Sequence, residues 1–433
     1  MTQPISRRHF VRFGATALGT TALALPLFER WLQLRVNAGE VAVAQPRKRL
    51  VVIFQRGAMD GLSAVAPFAD EHYRRLRPLL AVAPPKRGDQ TTALDLDGRF
   101  GLNPHLAALL PLFQSGALAV IHGVGSPDGT RSHFDAQDYM ESATPGRKSA
   151  PDGWVNRYLQ AAPLKQASPF RAVALTQLTP RIMQGKAEVV ALADLREFRL
   201  RAGGATGKVA ASFEEMYAQA AADALRGTGQ DTLEAIRFLK RADPLRFQPE
   251  NGATYPNSPL GNALRQVAQL VKANVGLEVA FADCGGWDTH ANQGAPGQAF
   301  GQLNRLLRDF GGALAAFAQD MGPARMRDTL VLTMTEFGRT VRQNGAGGTD
   351  HGRASCMFVL GGGARGGRVY GDVPSLAPSN LADGRDLPVT TDFRAVLAEV
   401  ITRHLGLADP SSVLPGYPVT AKSFAGLFGP SPA

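Results

Sequence analysis

Cysteine is nearly absent: Cys284 and Cys356 are the only two in 433 residues. That excludes a disulfide scaffold and leaves two small buried thiols as the expectation, with a single bridge as the alternative. Aromatic residues make up 7 % of the chain, and no block of Lys and Arg is interleaved with them. Nucleic acid is therefore not an expected partner. Long apolar runs are also missing. The best one, Phe13 to Leu27, is diluted by Gly and Thr and falls short of the ~20 residues of a spanning helix. No stable membrane span is expected after processing, and no repeat of fixed period is present. Acid is in deficit, with 47 Lys and Arg against 37 Asp and Glu, a formal net charge of +10. A mildly basic surface suits anionic substrates or a cell envelope, although solubility alone accounts for it equally well.

The N-terminus has the opposite character. Ser6-Arg7-Arg8-His9-Phe10-Val11-Arg12 precedes the modest apolar stretch, and Ala42-Val43-Ala44 has the small-x-small form of a cleavage site. The pattern resembles a twin-arginine export signal, read by a receptor rather than acting as an anchor. Residues 1–44 are thus expected to be a signal peptide. The twin-arginine machinery becomes an expected partner, and a periplasmic or secreted location follows. Residues 45–433 suit one large domain with insertions.

In that domain the hydrophobic pattern alternates. "RLVVIF" from Arg49 is a continuous β-branched run, the mark of a strand buried on both faces of a parallel sheet. "LNPHLAALLPLFQSGAL" follows with Asn103 as N-cap and Pro104 at the first helical position. Next come strand "LAVIHGVG", helix "SHFDAQDYMES" and strand "RAVAL". A polar, Ala-rich stretch over about 177–258 reads as an inserted helical cap rather than sheet, with "SFEEMYAQAAADAL" and "DTLEAIRFLKRA" as its helices. Alternation then resumes through "GNALRQVAQLVKA", "GLEVAFA", "GQLNRLLRDFGGALAAFAQDM", "TLVLTMT", "CMFVLGG" and "DFRAVLAEVITRHLG". The expected fold class is α/β, a mostly parallel doubly wound sheet with a helical cap. In such sheets chemistry gathers beyond the carboxyl ends of the strands.

Five polar clusters are expected there: "RGAMDGLS" with Asp60, "GSPDGTRSHFDAQD" with Ser126, Ser132, His133 and Asp135, "GGWDTHANQ" with Asp288 and His290, "TEFGR" with Glu336 and Arg339, and "GGTDHGR" with Asp350, His351 and Arg353. Carboxylates and imidazoles from separate strand ends are a ligand set for Zn²⁺ or Mn²⁺. Each cluster also has a plain structural reading. Ser132 and Asp135 form the Ser-x-x-Asp pattern of a helix start. Asp60-Gly61 is a turn after a strand, Glu336 can pair with Arg339, and Asp288 with His290 can form a hydrogen-bonded loop pair. His105 reads as structural, and His72, His122 and His404 carry no partner pattern.

The order of these motifs resembles the alkaline-phosphatase-like superfamily, with its sulfatases and cofactor-independent phosphoglycerate mutases. Asp60 takes the place of the first metal aspartate, Ser132 that of the nucleophile, and Asp288 with His290 that of the Asp…His pair. Glu336 stands for the aspartate of the "TADH" element, and His351 for the late histidine. Over nearly its whole length the chain resembles, more closely, the exported domain-of-unknown-function family 1501, through "RGAMDGLS", "TRSHFDAQDYME", "GGWDTHANQ", "TEFGR" and "GTDHG". Two departures stand out. Glu336-Phe337 replaces the superfamily's Asp-His, removing an imidazole from a second metal, and one residue alone separates Asp288 from His290.

The resemblance implies an exported metal-dependent hydrolase of phosphate or sulfate esters. Its metal set is Asp60, Asp288, His290, Glu336, Asp350 and His351. Asp288, His290 and His351 would hold Zn²⁺ or Mn²⁺, while Asp60, Glu336 and Asp350 would complete a second, oxygen-rich site for Mg²⁺ or Ca²⁺. Ser132 is the expected nucleophile, with Ser126 and Thr130 as alternatives. Arg131, Arg339 and Arg353 are the expected anion clamps for a small-molecule or glycan ester. The rival expectation is a non-catalytic binding or envelope-assembly protein on a degenerate hydrolase scaffold.

Overall fold

The computed structural model describes residues 48–148, 150–196, 238–239, 241–420 and 424–429. The expected signal peptide and the two expected cap helices within 212–242 lie outside them, apart from a few residues at the end of the second. The centre is one large sheet. Its strands are β1 (Arg49–Gln55), β2 (Leu118–Gly125), β3 (Ala172–Ala174), β4 (Val190–Ala191), β5 (Val279–Cys284), β6 (Thr329–Met334), β7 (Ser355–Gly361), β8 (Val369–Tyr370) and β9 (Thr391–Asp392). Their order is β8-β2-β7-β6-β1-β5-β3-β4, with β9 also beside β2. The pairings of β1 with β5 and β6, of β3 with β4 and β5, and of β2 with β8 and β9 are parallel. β7 alone runs antiparallel to both its neighbours, β2 and β6.

Alternation along β1 accounts for the layering. Val51 and Ile53 enter a core with the helices α3 (Pro259–Lys272) and α4 (Gln302–Asp328). Leu50, Val52 and Phe54 enter a second core with α2 (Trp154–Ala161) and α5 (Phe393–Glu399). A strand covered on both faces needs apolar residues at every position, as "RLVVIF" supplies. The mostly parallel α/β sheet is therefore as expected. Three local features differ. Val190–Ala191, inside the stretch read as cap, pairs with β3 and extends the sheet. The helix expected from Asn103 divides into a tight 3₁₀ turn, Pro104–Leu109, and a short α-helix, Leu110–Gln114, because Pro111 has no N–H to continue the ladder. In α4, Gly322 at φ +67° with Pro323 behind it marks a kink.

The direction of β7 decides where the chemistry lies. "TDHGR" precedes a strand rather than following one, so in an all-parallel sheet it would sit at the wrong edge. Because β7 is reversed, its N-terminal end lies at the carboxyl edge of β6, β1 and β5. The segment after β6 and the segment before β7 then pair directly. Gly338 N–H donates to Arg353 O (2.9 Å), Gly352 N–H donates to Gly338 O (2.8 Å), and Arg339 and His351 form an antiparallel bridge. Cys284 and Cys356 are free thiols, both pushed up by burial, Cys284 to about 12. Among the described residues no helix is long and apolar enough to cross a membrane.

Candidate metal centre

Four side chains from three segments meet at this edge: His133 from α1 (His133–Ser142), Asp288 and His290 from the loop after β5, and His351 from the loop before β7. Glycine makes the approach close enough. A Cβ on Gly57, whose φ is +114°, would stand 2.6 Å from the backbone nitrogen of Asp288, and one on Gly348 would stand 2.3 Å from the carbonyl carbon of His290.

Each imidazole is held from behind at Nδ1. His133 Nδ1 lies 2.7 Å from Glu336 Oε1, His290 Nδ1 lies 3.1 Å from Asp350 Oδ1, and His351 Nδ1 lies 2.9 Å from the carbonyl oxygen of Arg131. Ionised carboxylates and carbonyls only accept, so each Nδ1 has an acceptor for a ring proton, and the Asp288 carboxylate is a second acceptor on the Nε2 side of the rings. With the proton on Nδ1 each Nε2 presents a lone pair, and those of His133 and His290 both lie close to that of His351. His351 Nε2 is 3.0 Å from His133 Nε2, 2.9 Å from His290 Nε2 and 3.2 Å from Asp288 Oδ1. Asp288 Oδ1 is also 3.0 Å from His290 Nε2, and Oδ2 is 3.4 Å from His133 Nε2. Lone pairs so arranged repel one another and attract a cation. Donors around a zinc ion at about 2.1 Å stand roughly 3 to 3.4 Å apart, as these do. His133, Asp288 and His351 in particular offer donor atoms mutually within 4.8 Å. The residues present fit a divalent metal.

The electrostatics agree with ordered ligands. His133 is raised above the usual histidine value, chiefly by its hydrogen bond to Glu336 against the opposing effect of burial. His351 is lowered by burial first, with the charges of His133 and Arg339 adding to it. Burial alone would raise Asp288, but the Arg339 hydrogen bond and charge, helped by His290 and His133, leave it below the ordinary carboxylate range. Phe337 packs its ring against His133 and His351, 5.0 Å from each centroid, and closes one side of the cluster to water.

Several expected ligands and clamps stand elsewhere. Asp60 is corrected from metal ligand to a sealed ion pair. Its Oδ2 accepts from Arg77 Nη1, Ser63 Oγ and Gln293 Nε2, each at 2.7 Å, and both members of the Asp60–Arg77 pair are buried. Glu336 and Asp350 are corrected from ligands to the acceptors that orient His133 and His290. Glu336 Oε1 also takes the N–H of Gly57 at 2.8 Å and Gln137 Nε2 at 2.9 Å. The oxygen-rich second site of Asp60, Glu336 and Asp350 is therefore not assembled.

Arg339, expected as an anion clamp, is only 1 % exposed. It is spent on the carbonyls of Gly57, Ala58, Trp287 and Thr349 and on Asp288 Oδ1 at 2.6 Å. Arg131 pairs with the buried Asp386 at 2.5 Å and with Asp383 at 3.3 Å. Arg353 lies under the loop after β2, where a Cβ on Gly129 would be 3.0 Å from its Nη2. Ser132 caps α1, its Oγ 3.5 Å from Asp135 N, and is directly followed by the ligand His133. Ser126 Oγ accepts from Asp128 N, and Thr130 Oγ1 accepts from Ser132 N. His122 and His404 bond to backbone, as structural histidines do.

His133 is named in its cluster but not in the expected metal set, because the Ser-x-x-Asp cap around it already explained the motif. The usable signal was its place at the first helical position after a buried strand.

A profile of the family described as "Protein of unknown function (DUF1501)" matches residues 115–417, and the chain belongs to that family. No curated protein matches the sequence. Solved structures to which the chain is similar include the lipoteichoic acid synthase LtaP of Listeria monocytogenes, with 9 % identity, 76 % of this chain and 70 % of that one covered, and TM-score 0.31. The PsFucS1 sulfatase of a Pseudoalteromonas species shows 10 % identity, coverage of 88 % and 71 %, and TM-score 0.36. The alkaline phosphatase of the Antarctic bacterium TAB5 shows 11 % identity, coverage of 74 % and 93 %, and TM-score 0.28.

Proposed function

We propose that this DUF1501 protein is an exported, metal-dependent hydrolase of phosphate or sulfate esters, with one Zn²⁺ or Mn²⁺ held by His133, Asp288, His290 and His351. The carrying observation is the clustering of three imidazole Nε2 atoms beside the Asp288 carboxylate, each ring held at Nδ1 by its own acceptor. Acceptors behind the ligands set ring orientation and raise basicity, a recurrent feature of protein metal sites. When bound, the metal supplies Lewis acidity toward an ester oxygen and lowers the pKa of a coordinated water or hydroxyl. Glu336, Asp350 and the Arg131 carbonyl hold the imidazoles, Arg339 holds Asp288, and Phe337 excludes water from one flank. Ser132 is the proposed nucleophile. It adjoins His133 on the same loop, and its capping bond is at the long limit of hydrogen bonding, so a lone pair is available. The ester class rests on the motif order of the sequence, and export rests on the Arg7-Arg8 segment.

A second reading has one observation behind it: Asp60 is sealed by Arg77, so a two-metal phosphatase centre is not present among the described residues. On that reading the protein binds a partner through its single metal and turns nothing over. The test is metal analysis of protein purified without chelators, joined to a screen of phosphate mono- and diesters and sulfate esters with wild type and Ser132→Ala. The hydrolase reading expects stoichiometric metal and turnover that Ser132→Ala removes. Metal without turnover of any ester favours the binding protein. Equal turnover in both proteins sinks Ser132 and leaves attack by water.

A further inference from the structure

Of the three arginines expected to clamp an anion, Arg339 is sealed, Arg353 lies under a loop and Arg131 is bound to Asp386 and Asp383. A fourth arginine contacts the backbone of His351 from a segment that no motif marked. Arg385 Nε donates to Asp386 Oδ1 at 3.0 Å, its Nη2 donates to the backbone carbonyl of His351, and its side chain is 44 % exposed. Arg131 Nη2 donates to the other oxygen of Asp386 at 2.5 Å, and the Arg131 carbonyl accepts from His351 Nδ1. One buried carboxylate, fully shielded from solvent, thus aligns two guanidinium groups, and both arginines also touch His351. Arg385 further acts electrostatically on Asp350, the acceptor behind His290.

Asp386 is shared by both arginines, and Asp383 pairs with Arg131 alone, so Arg385 keeps only half of one buried carboxylate as its ion-pair partner among the described residues. A guanidinium carries five N–H donors in a planar fork. Two of those on Arg385 are engaged by described residues, which fix its plane while leaving donors for a ligand. A fork held by a buried partner loses little side-chain entropy on binding. This is the arrangement that recognises a tetrahedral oxyanion through two oxygens.

We infer that Arg385, aligned with Arg131 by Asp386, is the anion-recognition residue of the centre and contacts the non-bridging oxygens of a phosphate or sulfate group. The inference rests on the hydrolase reading for the nature of the ligand, but not for the existence of the fork. Its role is binding rather than metal ligation, so loss of the guanidinium should leave the metal in place.

The experiment uses full-length, zinc-loaded protein and inorganic phosphate and sulfate as probes, with affinity read by titration calorimetry and zinc by elemental analysis. Arg385→Gln should weaken phosphate or sulfate at least tenfold, and Arg385→Lys, which keeps charge but not the fork, should weaken it less. Both variants should keep the zinc content and melting temperature of wild type. Equal affinity in wild type and Arg385→Gln overturns the inference. So does loss of zinc or a melting temperature lowered by several degrees, which would make Arg385 a support for the His351 backbone. If wild type keeps its zinc but binds neither anion, the arginine assignment fails while the metal centre stands. If wild type holds no zinc and still binds phosphate through Arg385, the metal-dependent hydrolase reading fails and the fork stands.

Discussion

Two polar clusters lie at the same edge of the sheet, and in the sequence they look alike, an aspartate in a Gly-containing loop after a buried strand. In the structure they are opposites. Around Asp60 every strong acceptor is matched by a donor: Arg77, Ser63 and Gln293 close on the carboxylate, and Arg77 spends its remaining donors on the carbonyls of Val341 and Thr340. Around Asp288 the Nε2 atoms of three imidazoles crowd a half-exposed carboxylate, 3.0 to 3.4 Å away. A completed network is structure; an unsatisfied convergence of lone pairs is a place for a cation. Counting carboxylates and histidines near strand ends cannot separate the two, whereas the partners of each group in space can.

The widest separation between the clusters should come from removing one member of each. His351→Ala should abolish stoichiometric zinc and the rise in melting temperature that zinc gives wild type, because that ring touches every other ligand. Asp60→Asn should leave zinc content untouched in the folded protein and cost about 3–5 kcal/mol of stability in urea unfolding, since it strands a buried guanidinium. If Asp60→Asn loses zinc and keeps its stability, the two clusters have been assigned the wrong way round.

A finer contrast lies behind the ligands. Glu336→Gln and Asp350→Asn keep the shape of the acceptors but weaken their hold on His133 and His290. Each should lower zinc affinity about 10- to 100-fold, measured by competition with a chelator. Direct ligation by either carboxylate would instead give a loss as complete as that of His351→Ala.

Acid should tell the clusters apart by another route. Burial would raise Asp60, but the charge and hydrogen bond of Arg77, with Ser63 and Gln293, outweigh it and hold the group below its ordinary value. A carboxylate lowered on folding adds stability that is full above the unfolded pKa, about 3.9, and is lost as pH falls through the folded one. Wild type should therefore lose stability below about pH 4, and Asp60→Asn should flatten that part of the curve. An unchanged acid limb in the variant would break the assignment. The smallest effect belongs to Ser132→Ala, where loss of the N-cap should cost about 1 kcal/mol or less without changing zinc content.

Much of this was legible in the sequence. Continuous β-branched runs and the helical spacing between them specified a two-faced sheet, and the glycines beside Asp288 and His351 announced close backbone approach. Asp288, His290 and His351 were read as a set and do meet. What could not be read is what depends on pairing in space. Arg77 lies in a short helix with no motif, so nothing marked it as the partner of Asp60. Glu336 and Asp350 have the chemistry of ligands, and only their distances to Nδ1 atoms show them one step back. His133 was hidden because its neighbours already explained the motif as a helix cap. The reversal of β7, which brings a segment preceding a strand to the carboxyl edge, leaves no trace in hydrophobic periodicity, since a buried strand is apolar in either direction. Phe337 was read as a lost imidazole, and in the structure its ring packs against His133 and His351.

On the proposed reading one divalent metal is held by three imidazoles, with His133 among them. X-ray absorption at the zinc K-edge on the zinc-loaded full chain tests it most directly, with wild type and His133→Ala compared at equal metal content. The account predicts a low-coordinate nitrogen- and oxygen-rich shell at about 2.0–2.1 Å, with the outer-ring scattering of three imidazoles in wild type and of two in the variant. A wild-type spectrum without imidazole scattering, or one that His133→Ala leaves unchanged, would contradict it.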